Sequence, residues 1–275
     1  MFSLGEVKRA STSFFSSKMD YNYHTHTTRC HHARGTDEEY IECAIRAGIK
    51  HLGFSDHMPH IFPDGYESSY RVGMSEGESY VRDVQALKEK YRDKIELSVG
   101  FEMEYYPLYF DQMLENARKF GAEYLICGQH FLGNEHPDGL GTRGVITEPE
   151  HLTEYVDCCV KAMESGVFTY IAHPDIILFK GDERLYKKEM NRLCQKAKET
   201  DTPLEINLSG IKYNLHYPDE RFWKIAGKIG APVTFGRDAH DSTALLDPDP
   251  VTIAKSIVKR YKLNYIGRPK LIPIN

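Results

Sequence analysis

Several things are scarce in this chain, and each scarcity removes a class of function. Of 275 residues only one is Trp, and Lys plus Arg (35) fall short of Asp plus Glu (40), leaving a formal charge of −5. The basic residues are dispersed, so no electrostatic footprint for a polyanion exists and nucleic acid is not expected as a partner. No apolar run approaches the roughly 18 residues that a membrane span needs, so no membrane partner is expected either. The six cysteines (Cys30, Cys43, Cys127, Cys158, Cys159, Cys194) include no CxxC pair and lack the density of a disulfide scaffold. They read as reduced thiols of a cytoplasmic protein. Neither GxGxxG nor GxxxxGK[ST] follows the first strand-like run, which argues against a nucleotide-binding open sheet.

Residues 1–18, MFSLGEVKRASTSFFSSK, are Ser-rich and weakly basic, without the long apolar stretch of a secretory signal. They read as a poorly ordered extension without catalytic role, with Met19 either a second start or the end of a leader. The remaining 19–275 reads as one domain.

Histidine, by contrast, is abundant. Four of thirteen fall within nine positions, in YHTHTTRCHHARG (Tyr23–Gly35). Elsewhere the chain alternates short apolar runs with longer amphipathic ones. Strands are expected at Tyr21–His26, His51–Ser55, Ile95–Glu102, Tyr124–Gly128, Phe168–Ala172, Pro203–Asn207 and Pro232–Gly236. Helices are expected after Thr36-Asp37-Glu38-Glu39, a capping box, and around Ser75–Tyr91, Pro107–Phe120, Glu148–Ser165, Arg184–Thr200, Pro218–Ile229 and Pro248–Tyr261. Gly48, Gly121, Gly166 and Gly230 stand where helices should end. Seven strand-then-helix units predict a parallel sheet covered by helices, either a closed barrel or an open doubly wound sheet.

The polar residues separate those two. Six of the seven strand-like runs end in ionisable side chains: His24-Thr25-His26, Asp56-His57, Glu102, Gln129-His130, His173, and Asp238-Ala239-His240. In a (β/α) barrel the C-terminal strand ends share one rim, where active sites are built. On a strand, residues i and i+2 face one way, about 7 Å apart, so His24 and His26 can reach one cation, as can Asp238 and His240. Imidazole with carboxylate suits Zn, Mn or Fe better than Ca or Mg. The number of candidate ligands calls for two or three ions, with Glu102 bridging two of them. Such a charge cluster needs an anionic partner, and a small phosphate monoester is the evident one.

HTH, SDH, GFE, GQH, AHPD and GRDAH, in this order from about Asp20 to His240, resemble the successive motifs of the PHP (polymerase and histidinol phosphatase) superfamily. The wording CHHARGT, FSDHMP, GQHFLG and HPD is most similar to its monofunctional histidinol-phosphate phosphatases. The resemblance implies a distorted, TIM-like (β/α)7 barrel with a trinuclear metal centre that hydrolyses L-histidinol phosphate in histidine biosynthesis. It places His24, His26, Glu102 and Asp238 on a first metal. Glu102 then bridges to a second metal with His130 and His173, while His32, His57 and His240 hold a third. His31 is left as a bystander. The chain departs from the family at Arg237, where Ser is common. Glu104, on the same strand face as Glu102, competes with it and reads as a supporting group.

The expected chemistry is in-line attack on phosphorus by a hydroxide shared between two ions, with Asp238 steering protons and a water near His240 as the alternative. Arg34, Arg143, Lys180 and Arg184 lie in loops that could reach phosphate, Lys180 being the first choice. The segment from His57 to Arg71 offers His60, Phe62, Asp64 and Tyr66 as a wall for a substrate ring. Two other readings keep the same residues: a phosphoesterase acting on nucleotides or DNA ends, and a metal-binding domain without catalysis.

Overall fold

The computed structural model describes residues 19–274; the extension read at 1–18 lies outside them. Strands β1 (Tyr21–Asn22), β2 (His51–His57), β3 (Glu96–Met103), β4 (Tyr124–Cys127), β5 (Val145–Ile146), β6 (Phe168–Ile171), β7 (Leu178–Phe179), β8 (Leu204–Asn207), β9 (Pro232–Gly236) and β10 (Asn264–Tyr265) alternate with eight α-helices. These are α1 (Asp37–Ala47), α2 (Gly77–Tyr91), α3 (Phe110–Phe120), α4 (Pro149–Ser165), α5 (Glu183–Glu199), α6 (Leu208–Lys212), α7 (Glu220–Ile229) and α8 (Asp249–Tyr261). The main sheet runs β1-β2-β3-β4-β6-β8-β9-β10, every pair parallel. The seven expected strands are all present and curl into the expected distorted, TIM-like barrel.

Local chemistry sets the helix ends. Thr36 and Glu39 form the reciprocal capping box that opens α1, a pair of bonds that satisfies two otherwise unpaired amides. Gly48, Gly121, Gly166 and Gly230 all adopt left-handed backbone at helix C-termini, where other residues would be strained. α3 starts at Phe110 instead of Pro107, because the carbonyl of Tyr106 first closes a turn onto the amides of Tyr109 and Phe110. α6, β5, β7 and β10, two to five residues each, were not expected, being too short to carry a period.

The barrel closes unevenly. Between β1 and β9 the backbone ladder is replaced by side chains: the Tyr21 hydroxyl accepts the Phe235 amide (3.3 Å) and Asn22 Oδ1 accepts the Arg237 amide (2.7 Å). Backbone pairing appears only higher up, where His26 donates to Ala239 O (3.0 Å) and Ala239 donates to His24 O (3.2 Å). Lower down, β10 pairs with β9, and the Tyr265 and Tyr21 hydroxyls lie 3.1 Å apart. The interior is aromatic: the Tyr124 hydroxyl donates to the carbonyls of Tyr23 (2.9 Å) and Phe54 (3.1 Å). Among the described residues no helix is long and apolar enough to cross a membrane.

Candidate metal centre

The segment after β1, the end of β3 and the turn after β9 meet at one point. His24 Nε2 lies 3.4 Å from Glu102 Oε2 and 3.5 Å from Asp238 Oδ1, and His26 Nε2 lies 3.5 and 3.3 Å from the same two atoms. The four contacts form a closed ring of donor atoms around one point. A regular tetrahedron with arms of about 2.0–2.1 Å, the Zn–N and Zn–O range, has edges of about 3.3–3.4 Å. His24 Nε2, His26 Nε2 and Glu102 Oε2 are all buried without a hydrogen-bond partner. Buried polar atoms rarely go unpaired, so three converging ones at this spacing fit a cation.

Glu102 divides its oxygens. Oε2 faces His24, His26 and His57 Nδ1 (3.2 Å), while Oε1 faces His173 Nε2 (2.9 Å) and His130 Nε2 (3.4 Å). That division is what a bridge between two ions requires. On the outer side the donor atoms of His26, His57 and His240 fall within 4.8 Å of one another, as do those of Cys30, His32 and His240. His32, His57 and His240, expected together, have ring centroids 4.6 to 6.4 Å apart.

The far side of four of the rings is fixed. His24 Nδ1 meets Glu205 Oε2 (2.9 Å), His130 Nδ1 meets Glu104 Oε1 (2.8 Å), His32 Nδ1 meets Cys30 O (2.6 Å) and His240 Nδ1 meets Asp238 O (3.2 Å). An imidazole held through one nitrogen presents the other in a set direction, the usual support of a metal-binding histidine. Glu104 thus serves His130. Two glycines make room for these carboxylates: a methyl group on Gly128 would overlap Glu102 Oε1, and one on Gly236 would sit 2.6 Å from Glu205 Cδ.

Burial would push the carboxyls of Glu102 and Asp238 up, but the surrounding imidazoles hold both well below the usual carboxylate range. Burial likewise opposes charge on His24, and Glu205, Asp238 and Glu102 outweigh it. His26 and His130 are likewise raised by neighbouring carboxylates, whereas burial and the neighbouring imidazoles push His57 and His32 down. The carboxylates' charge is thus balanced by protons on part of the cluster, a neutralisation that divalent cations would perform in exchange for those protons.

A cavity of about 520 Å³ opens beside the cluster, lined by His32, His57, Glu102, His130, His173, Asp238 and His240. His31, read as a bystander, also lines it, in left-handed backbone (φ 64°) after the Thr28–Cys30 turn. Of the basic residues expected to reach phosphate, only Arg143 is on the wall. Lys180 is exposed off it, because the β5–β7 ladder carries the chain past the lining position Ile176 before Lys180 is reached. Arg184 is exposed in the first turn of α5, and the exposed Arg34 pairs its backbone with His240 and Asp241. Arg237 turns away, as a neighbour of Asp238 should, and donates to the carbonyls of Ala244 (2.8 Å) and Asp247 (2.9 Å).

The loop after β2 also differs from expectation. His60 and Phe62 are buried against each other and Tyr109, Asp64 pairs with His136 (2.8 Å) and Tyr66 stacks on the same ring. None of the four lines the cavity; Ser69 and Tyr70 do, with Phe131 and Tyr217 opposite or alongside. Apolar pairing with neighbouring loops draws His60 and Phe62 inward.

Sequence reasoning missed the contribution of β8. It was the one strand credited with no ligand, yet Glu205 and Asn207 point to the cluster, and Asn207 Nδ2 lies 3.1 Å from Asp238 Oδ2. The polar-apolar alternation Leu204-Glu205-Ile206-Asn207 was the available signal. Arg71, Glu104 and Glu135 form a second buried group behind His130, which sequence gave no means to assemble.

Comparison with known proteins agrees with this fold. A probable histidinol-phosphatase of Deinococcus radiodurans is 26% identical over 225 residues, covering 79% of this chain and 85% of its own. One of Schizosaccharomyces pombe is 23% identical over 248 residues, covering 81% of each. The crystal structure of histidinol phosphate phosphatase from Lactococcus lactis, complexed with Zn, L-histidinol and phosphate, superposes with a TM-score of 0.70 at 17% identity, over 93% of this chain and 97% of that one. The PHP domain model matches residues 22–209, from the end of β1 past the end of β8. Since that span is about two thirds of the sequence and holds every strand between, the chain belongs to the PHP domain family.

Proposed function

We propose that this protein is a metal-dependent phosphomonoesterase whose substrate is L-histidinol phosphate, in histidine biosynthesis. The observation that carries the reading is the convergence of His24 Nε2, His26 Nε2, Glu102 Oε2 and Asp238 Oδ1, opening on a cavity with one arginine on its wall. The substrate is supported by the relatives just named, which this chain matches along about four fifths of its length. Two or three ions of Zn, Mn or Fe are the assigned cofactors, on His24, His26, His32, His57, Glu102, His130, His173, Asp238 and His240. Bound there, such ions supply a nucleophile from water at neutral pH and neutralise charge on the phosphoryl oxygens.

The remaining work falls to side chains. Arg143 meets the phosphate from the wall facing the cluster, where a guanidinium can engage two oxygens at once. Tyr70 and Phe131, stacked with centroids 5.8 Å apart, and Tyr217 form the apolar sides against which the substrate's imidazole packs. The departing alkoxide needs a proton. Asp238, ionised and with Oδ1 3.3 Å from His240 Nδ1, would take up the proton that the attacking water loses and pass it, beside His240, to the alkoxide. The buried, unpaired state of all six cysteines accords with a cytoplasmic setting.

Purified protein loaded with Mn or Zn should hydrolyse histidinol phosphate in preference to nucleoside monophosphates and to a phosphorylated DNA 3′ end. Hydrolysis of the DNA end alone would reject the substrate, and no turnover of any of them with ions bound would reject catalysis. Asp238→Asn should abolish turnover, and a kcat near wild type in the metal-replete variant would remove Asp238 from the chemistry.

A further inference from the structure

Asn207 closes β8 and belongs to none of the six motifs. Its side-chain carbonyl accepts the Gly210 amide (2.9 Å), so that Asn207 caps the short helix α6. This bond settles which way the amide faces. With Oδ1 committed to an N–H, Nδ2 must point the other way, and there it lies 2.9 Å from Glu205 Oε1 and 3.1 Å from Asp238 Oδ2. An amide nitrogen carries two N–H groups, one for each carboxylate. Glu205 is the partner that orients His24 through Nδ1, at 2.9 and 3.2 Å, and Asp238 offers its other oxygen to His24 and His26. Asn207 and Glu205 are both buried, so the amide is the donor that the fold itself supplies to these carboxylates.

We infer that Asn207 is the positioning residue of the inner metal site. By gripping Asp238 Oδ2 it leaves Oδ1 turned toward the histidines. By gripping Glu205 Oε1 it holds that carboxylate against His24. Two of the four converging side chains, Asp238 directly and His24 through Glu205, therefore take their orientation from one amide group, which α6 locks in place from behind. The inference rests on reading the cluster as a metal centre.

The competing role is a plain helix cap, and the two can be separated. Ser caps a helix as well as Asn does, but its hydroxyl is too short to bridge two carboxylates. Asn207→Ser thus keeps the cap and removes the bridge, whereas Asn207→Ala removes both. The full-length chain is stripped of metal with chelator and titrated with Co2+, read by visible absorption and by ions bound per chain. In both variants one equivalent should bind about 10–100-fold more weakly than in wild type, the usual effect of losing a ligand's support. The other equivalents should be unchanged. The unfolding temperature of the metal-free chain should fall further in Asn207→Ala, which loses the cap as well as the bridge. Wild-type Co2+ affinity at every equivalent in Asn207→Ser would overturn the inference and leave Asn207 a cap. Should the Ser variant not fold, Asn207→Thr, which also caps and fills more of the volume, decides on the same titration. A wild-type chain that binds no Co2+ would instead refute the metal centre.

Discussion

Replacing Arg71 by Met tests whether the buried charge behind the metal cluster is organised as described. Arg71 is 2% exposed. Its guanidinium pairs with Glu104 Oε2 (2.8 Å) and Glu135, donates to Met58 O (3.1 Å), and reaches the Tyr70 and Tyr106 hydroxyls (2.6 and 3.3 Å). Met keeps most of the volume and removes the charge, leaving two buried carboxylates facing each other's surroundings without a cation. Removing one partner of a buried pair costs about 3–5 kcal/mol. For a chain of this size that is a fall of about 6–20 °C in unfolding temperature. The loss has a pH signature. Burial opposes the Glu135 carboxylate, but Arg71 outweighs it and holds its pKa below the usual range. A depressed carboxyl contributes stability above its unfolded pKa, about 4.3, and that contribution fades as pH falls through the folded value. Without Arg71 the contribution is gone and burial dominates, so the deficit should be largest near pH 7.5 and smaller at pH 5. Urea unfolding of metal-free wild type and Arg71→Met at both pH values measures it, and adding Glu135→Gln should recover part of the loss. A deficit below about 1 kcal/mol at pH 7.5, or one that does not shrink at pH 5, would refute the reasoning.

Further outcomes follow from the same geometry. Gly128→Ala places a methyl group on Glu102 Oε1, so the ion shared with His130 and His173 should be lost, seen as fewer ions per chain in elemental analysis; unchanged metal content would contradict the packing. Arg143→Ala should raise KM for the phosphate monoester about 10-fold or more with a smaller change in kcat, about the loss of one charged hydrogen bond, whereas Lys180→Ala should leave KM within about twofold; the reverse ranking would restore Lys180 as the phosphate contact. Thr36→Ala removes half of the capping box on α1 and should cost about 1 kcal/mol in denaturant unfolding without altering activity.

Much of this was readable from sequence because barrels impose a simple rule: each strand end delivers its last inward side chain to one rim. His57, Glu102, His130 and His173 could be placed at that rim from the phase alone, while their sharing among ions came from the family resemblance. The capping box and the four glycine stops were legible for a related reason, since each depends on one or two adjacent residues. What escaped depends on contacts between distant segments. Glu205 and Asn207 are ordinary polar residues until β9 brings Asp238 beside them. Lys180 ranked ahead of Arg143, because nothing in either loop announces the two-residue ladder between β5 and β7. His60 and Phe62 read as a substrate wall, but Tyr109 and His136, far along the chain, draw them into a separate apolar cluster.

The uneven closure of the barrel has one more consequence. Just above the gap where side chains replace the ladder, His24 and His26 stand on one side of the short backbone pairing through Ala239, and Asp238 and His240 on the other. A cation held from both sides would act as a rivet beside the weakest joint of the cylinder. Chelation should then speed amide exchange around 24–26 and 237–241 more than in β3 or β4, so that the same ion that equips the mouth for chemistry also keeps the stave ends from springing apart.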